Sequence, residues 1–158
     1  MWLLVSVLGA CGGGGKTATH EVHTFKDEGI LCVLPASDTT SAPGFPAGAQ
    51  GTYAAGQPVN IAVQFETCLS SSCSRNKMTS CTVTAEGNTL TVTSNGSYED
   101  VNTSGGCTAD CGFLIARCST ANLPAGTYTV KHGAHTLTFT VPSMSAAPCV
   151  GARDAGAP

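Results

Sequence analysis

A chain of 158 residues has room for one domain and not for two once its Gly-, Ala- and Pro-rich ends are set aside. Charged residues make up 11%, far below the roughly 25% usual in soluble domains, and Thr, Ser, Gly and Ala take their place. The net charge of −3 argues against nucleic acid as a partner, and no run of about 18 apolar residues is present to cross a membrane as a helix.

The apolar run Met1–Val7 closes on Leu8-Gly9-Ala10-Cys11 and opens onto Gly12–Gly15. Leu three positions before a cysteine, with two small residues between, resembles the lipobox of bacterial lipoproteins, although the run lacks the Lys or Arg that begins an ordinary leader. The resemblance implies a signal peptide over 1–10, a lipid on Cys11 as the mature N-terminus, and a lipid-anchored tether over 11–27. Gly12 in place of Asp after the cysteine implies the outer membrane of a bacterial cell envelope. Setting Cys11 aside turns nine cysteines into eight, an even number that suits four disulfides in an oxidising compartment. These are Cys32, Cys68, Cys73, Cys81, Cys107, Cys111, Cys118 and Cys149, and no two of them have the C-x-x-C spacing of zinc ribbons or thiol redox sites.

Residues 17–26 read as solvated tether. His20-Glu21-Val22-His23 within them lacks the four-residue His spacing that puts two ligands on one helix face. Ile30–Leu34 is a short strand stopped by Pro35, and 36–56 is a long Ala/Gly/Pro loop, either flexible or pinned by Phe45 and Tyr53. Gln57–Glu66 alternates, with Val59, Ile61, Val63 and Phe65 on one face and Asn60, Gln64 and Glu66 on the other.

Cys81–Ser94 predicts a hairpin about Gly87-Asn88, which pairs Ala85 with Leu90 and Val83 with Val92 and turns Thr82, Thr84, Thr89, Thr91 and Thr93 outward. Gly126–Val141 repeats the pattern about Gly133-Ala134. Val130 meets Leu137, Tyr128 meets Phe139, and five threonines from Thr127 to Thr140 face away. Phe113–Ser119, apolar on both faces, predicts a central strand. Residues 142–158 form a structureless tail that Cys149 pins.

About seven short strands with one apolar face each, and no helical periodicity, predict an all-β antiparallel sandwich domain over 28–141. Asn122-Leu123-Pro124-Ala125-Gly126-Thr127-Tyr128-Thr129-Val130 resembles the strand entry of bacterial immunoglobulin-like modules. That likeness spans residues 57–141 and carries a fold but no activity, because such sandwiches serve many unrelated functions.

Residues for catalysis are lacking. There is no nucleophile elbow, P-loop or dinucleotide fingerprint, and Asp27-Glu28 and Glu99-Asp100 would diverge in extended chain. No enzyme and no cofactor is expected. His132 and His135 face each other across the second turn, close enough for both rings to reach one ion. Leu123–Val130 also resembles the late strand of periplasmic copper-resistance sandwiches, which implies a copper or zinc carrier using His132, His135 and His20 or His23. The four-residue segment between its last strands, and Cys11 where those proteins have a mature N-terminal His, depart from that pattern.

The leading expectation is a non-catalytic, lipid-anchored envelope protein that binds an envelope or extracellular partner. If connections reverse direction throughout, loops 67–80 and 95–112 and the Gly133 turn share one pole. Cys68, Cys73, Cys81, Cys107 and Cys111 gather there, with Arg75, Lys77, Tyr98 and His132 as the expected recognition residues. Cys32 is expected to pair with Cys149, and Cys81 with Cys118 on the strength of their shared core-facing parity.

Overall fold

The computed structural model describes residues 19–38, 50–102 and 106–151, so Cys11, the expected leader and Phe45 lie outside the described residues. In chain order the strands are β1 (Thr19–Lys26), β2 (Ile30–Pro35), β3 (Gln50–Tyr53), β4 (Val59–Leu69), β5 (Ser74–Glu86), β6 (Thr89–Asn102), β7 (Gly112–Ser119), β8 (Gly126–His132), β9 (His135–Val141), β10 (Ser143–Ala146) and β11 (Cys149–Val150). One sheet runs β1-β6-β8-β9, with β5 on the other edge of β6. The second runs β11-β2-β4-β7, and β3 pairs with β10 apart from both. The result is an all-β, sandwich-like fold.

Alternation explains why these two sheets face each other. Leu90, Val92, Tyr128, Val130, Phe139 and Val141 from the first meet Leu31, Val33, Ile61, Val63, Phe65, Leu114 and Ala116 from the second. Each such side chain contributes about 1.5–3 kcal/mol when fully buried. Both hairpin registers match the sequence reading. Val83 pairs with Val92 and Ala85 with Leu90, while Tyr128 pairs with Phe139, Val130 with Leu137 and His132 with His135. The loop expected over 36–56 gives way at Gln50–Tyr53 to β3, which pairs with β10, and Tyr53 anchors it: the ring is buried and its hydroxyl donates to the Val33 carbonyl at 2.8 Å.

Five expectations need correction. Residues 19–26 are a strand rather than a tether, paired residue for residue with Asn102 back to Asn95 of β6. The tail contains β10 and β11, which pair with β3 and β2. The hairpin expected at 81–94 is much longer and takes in residues expected as loops at both ends. β7 is an edge strand, with Phe113 exposed; Cys118 on it bridges to Cys81 on β5, so the two sheets are tied along that side. Finally, the sheets are not wholly antiparallel, because Thr89–Val92 of β6 run parallel to Thr129–His132 of β8.

Gly96 sits where β1, β5 and β6 cross the second sheet. A Cβ at this position would fall 2.8 Å from Phe65 Cε2 and 2.9 Å from Leu114 Cδ2. Gly96→Ala should therefore overpack the core and lower the unfolding free energy by about 1–3 kcal/mol in urea titration. A variant as stable as the parent would contradict this packing.

Candidate functional site

The end of β4, the start of β5, the end of β6 and the start of β7 meet at one pole of the sandwich. Two disulfides staple it: Cys68–Cys111 joins the end of β4 to the residue before β7, and Cys73–Cys107 joins the residue before β5 to the segment after β6. Between them lies a Ser-rich turn that supplies its own hydrogen bonds, as short hydroxyl side chains in turns do. Ser70 Oγ lies 2.8 Å from Thr108 Oγ1, the Thr108 N–H donates to Ser72 Oγ at 2.9 Å, and the Ser70 N–H donates to Ser74 Oγ at 3.0 Å. The Ser74 hydroxyl in turn donates to Asp100 Oδ1 at 2.9 Å.

These groups surround a hollow of about 400 Å³ lined by Glu21, Ser70, Ser74, Asp100, Thr108 and Asp110 together with Cys68, Cys73 and Cys107. Three carboxylates make the lining negative. Hydrogen bonds from Thr108 and Ser71 hold Asp110 down to about 2, well below the ordinary carboxylate value. On the inner face beside the hollow, His23 stacks on Tyr98 with ring centroids 4.6 Å apart. Its Nε2 lies 3.8 Å from Glu21 Oε1 and 3.5 Å from Asp100 Oδ2, with a hydrogen bond to neither. Burial, then the charges of Asp100 and Glu21, push the Tyr98 hydroxyl above its usual pKa.

The expected recognition pole divides in two. Cys68, Cys73, Cys107 and Cys111 do gather, and Arg75 and Lys77 are exposed close by, Arg75 donating through Nη2 to the Ser72 carbonyl at 2.7 Å. Tyr98 and His132, by contrast, are buried and present no contact surface. His132 and the Gly133 turn are not at this pole at all. His132 lies level with Ser94, six residues of strand from Asp100, which is roughly 20 Å. The parallel pairing of β8 with the lower part of β6 explains the misplacement, since it stops the hairpin partway up a longer neighbour. Cys81 lies opposite Ser94, so it too is mid-height, and its pairing with Cys118 is the one expected. Cys32–Cys149 likewise matches expectation.

The ring of His132 faces the core, 1% exposed, with Nε2 2.8 Å from Ser94 Oγ. This is the spacing of a nucleophile and its base, but Ser94 is wholly buried, so no substrate reaches it. The carboxylate of Asp27, the residue type that completes a triad, instead accepts from the Ser94 N–H at 2.8 Å. Among the described residues no group of three or more His, Cys, Asp or Glu is arranged to hold a metal ion, and His132 and His135 therefore stand as a cross-strand pair without further ligands.

Sequence reasoning missed Glu21, Ser70, Asp100, Thr108 and Asp110. The usable signal was Ser70-Ser71-Ser72 between Cys68 and Cys73, a hydroxyl-rich turn bracketed by bridges. Comparison with protein-family models, curated proteins and solved structures returns no significant match. What the fold and this site define is a disulfide-stapled, all-β domain of sandwich type with an acidic, hydroxyl-lined hollow at one end.

Asp110 provides a direct check on the hollow. Its folded pKa lies below its unfolded value, so its contribution to the turn is complete above about pH 4 and is lost as pH falls through about 2. The Ser71 amide, which donates to both carboxylate oxygens at 3.1 and 3.2 Å, should shift across that window in a ¹⁵N NMR titration and stay flat in Asp110→Asn. A Ser71 signal that titrates equally in both proteins would show that another group holds the turn.

Proposed function

We propose that this protein is a non-catalytic, lipid-anchored component of the bacterial cell envelope, probed by its partner at the stapled pole of an immunoglobulin-like sandwich. One observation carries this reading: the hollow is open and stapled by two disulfides, whereas the sole Ser–His contact among the described residues is sealed in the core. Cross-linked loops have little conformational freedom left to lose on binding, which favours recognition there over the Thr-rich sheet faces. Glu21, Asp100 and Asp110 favour a partner that brings positive charge, with an association that weakens as salt rises. The immunoglobulin-like assignment rests on the 122–130 strand entry and on the sandwich-like pairing of the sheets.

A copper or zinc carrier is the second reading, and the pairing of His132 with His135 is the observation in its favour. Against it, Nε2 of His132 is occupied by Ser94 and the ring is closed off from solvent.

Two experiments test the leading reading. Cys11→Ala should move the protein from the membrane pellet to the soluble fraction on cell fractionation, and retention in the pellet would remove the anchor. For the pole, the soluble domain should capture a partner from envelope extract, and Glu21→Gln with Asp100→Asn should weaken capture about tenfold. Loss of capture in Thr91→Ala, Thr129→Ala or Thr138→Ala, with the pole variants unaffected, would place recognition on the sheet face instead.

A further inference from the structure

β6 changes neighbours along a single edge. Thr89–Val92 pair with β8, Asn95–Asn102 pair with β1, and Ser94 falls in the gap between the two ladders. Its polar groups are served by both strand ends. The Ser94 N–H donates to Asp27 Oδ1 at 2.8 Å, the Asp27 N–H donates to the Ser94 carbonyl at 3.0 Å, and the Ser94 hydroxyl meets His132 Nε2 at 2.8 Å. Gly133, just past β8, lies so close to the Asp27 carbonyl that a Cβ would collide with it. The joint is closed off from the surface, with Ser94 at 0% and His132 at 1% exposure.

We propose that this joint opens in acid: when His132 takes up a proton, the tip of the β8–β9 hairpin unseats from Ser94 while the β1–β6 seam stays paired. The neutral ring fits its surroundings, because its single N–H can sit on Nε2 and donate to Ser94, leaving a bare lone pair on Nδ1. A second proton has to go on Nδ1, which is buried and has no hydrogen-bond partner. The charged and titratable neighbours are Asp27 from the end of β1, which favours the charged ring, and His135 from β9, which opposes it. Burial is the largest influence; with His135 acting in the same direction it outweighs Asp27 and holds the pKa below the usual imidazole value.

The sign follows. A depressed pKa in the closed joint means that the opened state binds the proton more readily, so closure is complete above about pH 6.5 and weakens as pH falls below it. The parallel ladder that holds β8 to β6 is four residue pairs long and ends at His132, so the hairpin has little else along that edge to resist with.

Hydrogen exchange read by mass spectrometry on the oxidised chain at pH 7.5 and pH 5, corrected for intrinsic rates, tests the proposal. Peptides covering 126–141 should lose protection about tenfold or more at pH 5, while those covering 19–26 and 59–69 should not. His132→Gln, which cannot take up a proton, should abolish the difference, and His135→Gln should leave it. Equal loss across all peptides, or the same loss in His132→Gln, would overturn the proposal. Should His132→Gln fail to fold, NMR titration of the parent decides. The Ser94 and Gly133 amides must move with the His132 ring, and a ring that titrates while they stay still refutes the acid joint.

Discussion

Asp27 and Ser94 exchange two backbone-directed hydrogen bonds, and the rest of the first sheet depends on where they do so. A strand of fourteen residues cannot be matched along its whole length by a seven-residue hairpin arm, so β6 needs a second neighbour on the same edge. A change of neighbour leaves at least one N–H and one C=O unserved, and a buried amide without a partner costs about 1–3 kcal/mol. Asp27 supplies the missing donor and acceptor together, from a residue with φ of 51° that turns the chain out of β1 towards β2 in the opposite sheet. The crossing between the layers and the closure of the edge are thus one event. A non-glycine in the left-handed region is tolerated there because Asp is among the few residues that adopt it readily.

The parts of the fold that could be read in advance are those whose causes are local. Both hairpins were legible because a glycine-containing turn and an alternating pattern independently specified one register, and each register stands in the structure. β4 was legible for the same reason. β1 was not, because its inward side carries Glu21, His23 and Phe25, and one aromatic among polar residues gives no apolar stripe. It is a strand because β6 extends far enough to pair with it, and that extension depends in turn on the stapled turn at Ser70–Ser74. Such mutual dependence leaves no trace in either segment alone. The parallel register of β6 with β8 is non-local in the same way, and the misplaced His132 followed from it. Of the candidate site, four of the five cysteines expected at the pole from reversing strand direction stand there, Cys81 being at mid-height, whereas the carboxylates around them could be assigned only once β1 and the upper part of β6 were in place.

The four bridges divide the labour of a modest core. Cys32–Cys149 spans a separation of 117 residues and holds β11 against the inner strand β2, beneath which Ile30, Leu34 and Ala62 form a satellite apolar cluster. The other three close separations of 34 to 43 residues, and chain entropy assigns about 3–5 kcal/mol to each of the four. Their positions matter as much as their number. One fastens the tail, one fastens the two sheets at mid-height, and two are spent on the turns around the hollow, where few apolar contacts exist to do the same work.

The direction of β1 has a topographic consequence. Thr19 pairs with Asn102, at the same end of the molecule as Glu21 and the hollow, so the chain enters the domain at the stapled pole and not opposite it. Eight peptide steps separate Cys11 from Thr19, a reach of at most about 30 Å when fully extended. If Cys11 carries the proposed lipid, that reach limits the entry of β1, and the stapled pole beside it, to within about 30 Å of the bilayer surface.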